Sequence, residues 1–290
     1  MISSKTTTLL LSLLLLPVCA FAQERFTVKG RIVNEKGDAV EYVQVGIPKS
    51  GIGAISSADG RFEINVPADT LEFHHVSYQV GRYPVSGPEE NLLIVLKDSE
   101  LPPAVAIGGN PKKKYLLHPG IKLKESLAGM GFDMRAGGRG SELGSVATTQ
   151  KPFLVQNIQF AILENYVPGC VAAINIYRIE GEPETFTNIL HKPIYFRIPE
   201  SAKSQQFDIQ PGETILLEPG RYFIAFQIVD CDDEAIRRMK EAPGAKRDPK
   251  ALHLYTAMYL KNSYQRFSPL SGLQPLSINI GVAVKGLEYQ

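Results

Sequence analysis

The stretch Ile55-Ser-Ser-Ala-Asp-Gly-Arg-Phe-Glu-Ile-Asn-Val66 decides the fold. Asp59-Gly60 is a turn pair, because the Asp side chain caps its own backbone and Gly accepts the left-handed conformation of a tight reversal. From Phe62 onward, apolar residues at even positions alternate with polar residues at odd positions, which is typical of a strand with one buried face. The stretch contains no nucleophile beside a base and no metal-ligand spacing. It therefore specifies a fold and not a reaction.

The same pattern continues on both sides of this stretch. Short apolar runs separated by turn residues fill positions 25–97. About seven short strands with turns every 8–12 residues are typical of an antiparallel sandwich. We therefore expect a seven-stranded β-sandwich over residues 23–99.

The order of these segments resembles a known family. The matching residues are Val28-Lys-Gly30-Arg-Ile-Val33, Gly37, Val40 to Val45, Gly53-Ala-Ile-Ser56, Asp59-Gly60-Arg-Phe62, Val66-Pro67, Leu71-Glu-Phe73, Ser77-Tyr78 and Leu93 to Leu96. The chain is similar here to the carboxypeptidase regulatory-like, or transthyretin-like (prealbumin-like), domain. It departs from the family at Ser77, where Gly is common. The resemblance implies a non-catalytic accessory sandwich.

The rest of the chain predicts a second sandwich. Residues 100–149 are rich in Gly and Pro and are interpreted as a connection. From residue 150 to 290, alternation returns in about eight strands, which predicts a jelly-roll-like β-sandwich. Leu154, Ile158, Phe160 and Ile162 are assigned to one strand face. The segment Arg221 to Val229 is apolar on both faces and is expected to be a central strand. The fold class predicted for the chain is all-β.

The N-terminus predicts export. Lys5, the apolar run Leu9 to Leu16 and Ala20-Phe21-Ala22 form a signal peptide over residues 1–22. The alternative is lipidation of Cys19. The apolar run is too short to span a bilayer as a membrane anchor. We therefore expect it to be cleaved with the signal peptide, and we expect no transmembrane segment in the remaining chain. We expect the protein in the periplasm, at the outer membrane or on the cell surface.

The charge balance bears on nucleic-acid binding, and the cysteine content bears on disulfide formation. The chain has 31 basic and 30 acidic residues, and the signal peptide contains one Lys and no acid, so the mature surface is balanced. A nucleic-acid partner is therefore not expected. Cys170 and Cys231 remain in an oxidising compartment, where they form either a disulfide or two buried thiols.

No catalytic, cofactor-binding or metal-binding residue is expected, and no cofactor. None of the five His residues has Glu three positions later, as a zinc carboxypeptidase site requires. The Gly-rich stretch 137–144 lacks the phosphate-loop and nucleophile-elbow spacings and is interpreted as a turn. Asp230 to Glu234 fits either a calcium site or, preferably, a helix N-terminus. Lys112 to Lys114 fits either an anionic surface or, preferably, a solvated loop.

These observations predict a non-catalytic envelope protein that binds or scaffolds. Its partner is expected to be an envelope or outer-membrane protein, or a glycan or peptide ligand. Exposed Tyr rings would suit a glycan, although packing within strands is the commoner role of Tyr. The candidates are Tyr177, Tyr195, Tyr255, Tyr259 and Tyr264. The alternatives are a structural subunit of a surface assembly and a hydrolase whose active-site residues converge only in space.

Overall fold

The computed structural model describes residues 24–48, 50–100, 108–118, 129–242, 244 and 250–290. The predicted signal peptide, including Cys19, lies outside the described residues. The protein is all-β, and its strands form several sheets that pack as two successive sandwiches.

The first sandwich contains seven strands in two sheets. One sheet has the order β4-β1-β7 and the other β3-β2-β5-β6. The strands are β1 (Phe26–Asn34), β2 (Gln44–Ile47), β3 (Ile52–Ile55), β4 (Arg61–Val66), β5 (Asp69–His74), β6 (Gly81–Val85) and β7 (Glu89–Leu96). Pairing is antiparallel except between β1 and β7, which run parallel.

The two sheets of the first sandwich enclose an apolar core. Phe62 on β4 and Phe73 on β5 meet edge to face across it, with ring centroids 5.6 Å apart. Along β4, alternate residues are buried and exposed, so the outer face of this strand is polar. The turn before β4 is built by Ser57, whose hydroxyl donates to Asp59, and by Gly60, whose φ of 79° is left-handed.

The second sandwich consists of a seven-stranded and an eight-stranded sheet. Its first strands are β8 (Lys112–Leu117), β9 (Gly129–Asp133), β10 (Glu142–Thr149), β11 (Phe153–Asn165), β12 (Val171–Glu180), β13 (Thr185–Asn188), β14 (Ile194–Arg197) and β15 (Gln205–Ile209). They are followed by β16 (Ile215–Leu217), β17 (Gly220–Asp230), β18 (His253–Tyr259), β19 (Ser263–Arg266), β20 (Gln274–Leu276), β21 (Asn279–Ile280) and β22 (Val282–Glu288). A 3-10 turn (Met134–Ala136) follows β9, and helix α1 (Asp233–Glu241) follows β17.

The chain passes repeatedly from one sheet to the other, as in a jelly roll. The seven-stranded sheet has the order β13-β12-β17-β10-β19-β20, with β14 beside β12, and the eight-stranded sheet has the path β21-β18-β11-β22-β8. Phe160 on β11 and Phe226 on β17 join the sheets through the core, with ring centroids 5.7 Å apart. β17 lies between β12 and β10, which confirms the predicted central strand.

Two sequence-based expectations need correction. The stretch interpreted as a connection, 100–149, contains β8, β9 and β10, and all three pair with strands of the second sandwich. These strands form by pairing with strands that are distant in sequence. Their own sequence has only weak hydrophobic periodicity and did not indicate them. The Lys112 to Lys114 triplet consequently lies on strand β8 and not in a loop, although its side chains are exposed.

A β-bulge changes the face assignment of β11. The pairing of β11 with β22 shifts between Val155 and Asn157. Phe153 and Val155 therefore face the core before the bulge, and Ile158, Phe160 and Ile162 face it afterwards. The assignment of Leu154 to the same strand face as Ile158, Phe160 and Ile162 was wrong, because one extra residue reverses the alternation.

No helix among the described residues is long and apolar enough to cross a membrane.

Candidate functional site: the cleft between the sandwiches

The two sandwiches meet through an apolar contact. Tyr42 and Ile55 of the first sandwich are buried against Val171, Ala173 and Val229 on the outer face of the seven-stranded sheet. Gly53 on β3 lies so close to the second sandwich that a Cβ atom there would be 2.3 Å from the carbonyl oxygen of Pro269. The absence of a side chain at Gly53 therefore permits this close packing.

Arg139 of the second sandwich orients a carboxylate at the junction. Its guanidinium donates to Asp230 at 3.1 Å, to Asp233 at 2.9 Å and to the carbonyl of Cys231 at 3.1 Å. Asp230 also accepts from the hydroxyl of Tyr42 at 3.2 Å, so one carboxylate joins both sandwiches. Burial, and then the charge of Asp230, raises the pKa of Tyr42 to about 12. The hydroxyl therefore remains a donor at physiological pH.

His75 forms a second polar contact across the junction. Its Nδ1 accepts from the backbone N–H of Ser77 at 3.2 Å, and its Nε2 lies 3.3 Å from the hydroxyl of Tyr195. The neutral ring, protonated on Nε2, satisfies both contacts. Burial lowers the pKa of His75 to about 4. The hydroxyl of Ser77 also donates to the carbonyl of His191 at 2.9 Å.

Beside this junction lies a cleft of about 770 Å³. Its floor is the outer face of the β4-β1-β7 sheet, and Arg139 and Asp233 form the opposite side. The volume is within the range of ordinary ligand sites. Leu93 on the floor is 60% exposed, and Val95, two residues further along β7, is 52% exposed.

Arg31 is the cleft cation with the fewest partners. Lys29 lies near Glu63 and Glu90, and Arg61 pairs with Asp59 at 2.6 Å. Arg31 donates from Nε to the carbonyl of Asp59 at 3.2 Å and forms no ion pair within the part of the chain that the structure describes. Its exposed guanidinium is therefore available to an acceptor, close to the apolar side chain of Leu93.

The five Tyr residues considered for glycan binding are mostly engaged elsewhere. Tyr177 and Tyr264 are buried, and their hydroxyls donate to Glu142 and Glu184. Tyr195 packs edge to face on Tyr42 at the junction. One face of Tyr255 is stacked on His253, and the buried hydroxyl of Tyr259 has no hydrogen-bond partner among the residues that the structure describes. Within the described ranges, the exposed aromatic rings are instead Tyr115 and Phe267, which no periodic pattern indicated.

A buried polar network lies beside the apolar junction, on the same sheet face. Glu142 is fully buried, accepts from Asn175 at 2.6 Å and Tyr177 at 2.9 Å, and lies 2.7 Å from Nε of Arg266. The Nε–H of Arg266 is not aimed at this oxygen, so the contact is an ion pair without a well-formed hydrogen bond. Burial opposes the charge of Arg266, but Glu142 raises its pKa. Because Glu142 is fully buried and pairs with these neighbours, we interpret the network as structural.

Cys170 and Cys231 are both buried as free thiols. They flank the residue pair Val171 and Asp230 on adjacent antiparallel strands, and both belong to the core of the second sandwich. Burial, and then the proximity of Cys231, raises the pKa of Cys170. Burial also raises that of Cys231, against the opposing effect of Arg139. The disulfide stays a prediction for the oxidised protein.

The acidic segment after β17 starts a helix. The side chain of Asp232 accepts from the backbone N–H of Ala235 at 2.9 Å, which confirms the capping interpretation. Asp230 and Asp233 both form ion pairs with the guanidinium of Arg139. Among the described residues, no three His, Cys, Asp or Glu side chains are grouped to hold a metal ion.

No family model matches the chain, and no curated protein matches it in sequence. Among solved structures, it is similar to a streptococcal ancillary pilin at 8% identity and a TM-score of 0.20, over 72% of this chain and 54% of the pilin. A DUF3823 family protein from Parabacteroides merdae matches at 8% identity and a TM-score of 0.21, over 91% of this chain and 98% of that protein. A chain of infectious bursal disease virus matches at 11% identity and a TM-score of 0.29, over 94% of this chain and 58% of the viral one. The chain thus spans little more than half of the pilin and of the viral chain. Likenesses this weak carry no conclusion about function.

Proposed function

We propose that the protein is a non-catalytic binding or scaffolding protein of the cell envelope, exported and cleaved before Gln23. Its first sandwich is of the carboxypeptidase regulatory-like type, and its second sandwich fixes the orientation of the first. The observation that carries the proposal is the cleft of about 770 Å³ beside a junction that is bridged by Tyr42 and Asp230 and by His75 and Tyr195. Because the junction is packed and hydrogen-bonded, the cleft is preformed, which lowers the entropic cost of binding.

The cleft suits a segment of an envelope protein that carries an acidic side chain next to an apolar one. Arg31 supplies an uncompensated guanidinium, and Leu93 supplies exposed apolar surface on the same floor. A carboxylate binds a guanidinium through two parallel hydrogen bonds, which gives orientation as well as affinity. Burial of Leu93 then adds a hydrophobic contribution.

An affinity pull-down tests this function. Tagged residues 23–290 are incubated with detergent-solubilised envelope, and in parallel with a glycan array. We expect one envelope protein in stoichiometric yield, lost in the double variant Arg31→Glu/Leu93→Asp. The control variant Lys36→Glu/Leu260→Asp makes the same changes at exposed positions outside the cleft and should retain the partner. Equal capture by both variants would exclude the cleft as the binding surface.

The absence of catalysis and the processing site are tested separately. Incubation with chromogenic esters, glycosides and peptides should give no turnover. Any turnover that a single carboxylate or His substitution abolishes would overturn the non-catalytic proposal. Mass spectrometry of the exported protein should find Gln23 at the N-terminus, whereas a lipidated Cys19 would identify a lipoprotein.

A further inference from the structure

A smaller pocket of about 270 Å³ lies on the second sandwich, at the other side of the turn that carries Arg139. Gly137, Gly138 and Ser141 of this turn line the pocket, whereas Arg139 points to the cleft. Phe132 and Leu143 form a buried apolar floor. The volume lies below the range of drug-sized sites, so it suits a ligand of about one ring.

Phe267 stands at the rim of this pocket with 64% of its surface exposed. A single exposed Phe is common and carries no inference alone. Here, however, its backbone is fixed, since its carbonyl accepts from the hydroxyl of Ser141 at 3.1 Å. Pro269 packs so closely on Gly140 that a Cβ there would lie 2.3 Å from the proline ring. The backbone that carries the ring is therefore held at the rim of the pocket.

Two polar side chains complete the pocket. Asp133 is oriented by Arg135, which donates to both carboxylate oxygens at 2.9 Å. This contact holds the pKa of Asp133 below its usual value, so the group is an ionised acceptor. Gln265 also lines the pocket, and its partly exposed side-chain amide offers both a donor and an acceptor.

The charges around the pocket are already paired. Asp133 is neutralised by Arg135, and Arg266 by Glu142. An anionic or cationic ligand would therefore gain little from ion pairing, whereas hydroxyl groups can bind to a paired carboxylate and to an amide. The lining thus combines an aromatic face, an apolar floor and neutral hydrogen-bonding capacity.

We propose that this pocket binds one neutral glycosyl residue, with the C–H face of the sugar ring on Phe267 and its hydroxyls bonded to Asp133 and Gln265. A pyranose has both features, because its axial C–H groups form an apolar face and its hydroxyls lie around the ring edge. The site is separate from the cleft and does not depend on the function proposed for it.

Saturation-transfer NMR and calorimetry with methyl glycosides of glucose, galactose, mannose and N-acetylglucosamine test the site on residues 23–290. We expect at least one glycoside to bind. Phe267→Ala should weaken it about tenfold, which corresponds to about 1.4 kcal/mol, because the C–H face of the sugar loses the apolar surface on which it rests. Phe267→Tyr should bind normally. Gln265→Ala should also weaken binding, without a change in the urea midpoint.

The control variants separate this site from other surfaces. Leu260→Ala removes an exposed apolar side chain outside the pocket, and Arg31→Glu alters only the cleft. Neither should change glycoside affinity. The proposal is overturned if none of the four glycosides binds at millimolar concentration, or if binding survives both Phe267→Ala and Gln265→Ala. A failed pull-down on the cleft would leave these results unaffected.

Discussion

The two sandwiches differ in what covers the outer faces of their sheets. On β4 of the first sandwich, Phe62 and Ile64 are 5% exposed while Glu63 between them faces solvent. On β17 of the second sandwich, Phe223 and Ile224 are both fully buried although they point to opposite faces. The sheet containing β17 is covered on one side by its own core and on the other partly by the first sandwich. A sheet covered on both sides has no solvent face on which polar residues are free to accumulate.

The outer face of the seven-stranded sheet consequently has three parts. An apolar part around Val171 contacts the first sandwich, an aromatic part around Phe223 lies further along, and Glu142 with its partners lies in the same layer. Polar groups buried in this way must be paired, whereas those on the outer face of β4 interact with water. Substitution of the same type of polar residue should therefore change the free energy of unfolding by different amounts in the two sheets.

Removal of a carboxylate from each sheet gives the largest expected contrast. Glu142→Leu leaves Arg266 buried without its counter-charge, and we expect the free energy of unfolding to fall by about 3–5 kcal/mol. Glu63→Leu removes an exposed pair with Lys29 at 3.7 Å and should change it by less than about 1 kcal/mol. Urea unfolding at pH 7 measures both. The double variant Glu142→Leu/Arg266→Met should recover much of the loss, and equal losses in the two single variants would contradict the contrast.

Protonation of His75 should weaken the junction between the sandwiches. Burial lowers the pKa of His75 from its usual value of 6.5 to about 4. The unfolded chain therefore binds a proton at higher pH than the folded chain does, so stability falls as the pH drops from 6.5 to 4. The loss is on the order of 3 kcal/mol and is complete below pH 4.

The variant His75→Gln isolates this contribution. Carboxylates with lowered pKa values, such as Glu72 and Asp133, lose their stabilisation mainly below pH 4.5, and they are present in both proteins. Urea midpoints measured between pH 4 and 7 should therefore decline more steeply for the wild-type protein than for the variant. Parallel pH profiles would show that His75 is not the titrating group.

The fold could be predicted from the sequence where the structure depends on residues that are close together along the chain. The strand and turn pattern around Phe62 is local, and the all-β class follows from it. The central position of β17 followed from its two apolar faces. Strand β10 was missed because it is specified by pairing with β17 and not by its own Gly-rich flank. The bulge at Val155 and Asn157 reversed the faces of β11, and alternation alone does not show a bulge.

The candidate sites were less predictable than the fold. Arg139 was visible only as part of a Gly-rich turn, and its carboxylate partners lie 91 and 94 residues away. Phe267 belongs to no pattern, and its exposure depends on how the following turn packs on Gly140. The Tyr residues are candidates because of their chemistry. Tyr177 and Tyr264 are nevertheless buried, because the outer face of the seven-stranded sheet is covered as well as its core face. Sites whose residues come from strands distant in sequence therefore cannot be predicted from the sequence alone.

Two turns of the first sandwich contain a glycine with a left-handed φ, but the glycines differ in how closely other residues pack around them. Gly37 and Gly60 have left-handed φ values of 86° and 79°. A Cβ at Gly37 would meet nothing within 4 Å, whereas one at Gly60 would lie 2.4 Å from the carbonyl oxygen of Ile32. Gly37→Ala should cost about 1–2 kcal/mol from the backbone conformation alone. Gly60→Ala should cost about 2 kcal/mol more, because the backbone must move. Thermal unfolding of both variants checks this difference, and equal losses would mean that the turn before β4 relaxes freely.

The smallest effect is expected at helix α1, where the second sandwich does follow a local sequence signal. Asp232 caps the helix through the backbone N–H of Ala235, so Asp232→Ala should lower the free energy of unfolding by about 1 kcal/mol. Asp232→Asn keeps the acceptor and should lose only a few tenths. Glu241→Ala removes an exposed pair with Arg237 at 3.4 Å from the last turn and serves as the matched control. A loss in Asp232→Ala no greater than in this control would show that the helix is held by Ile236 in the core and not by its cap.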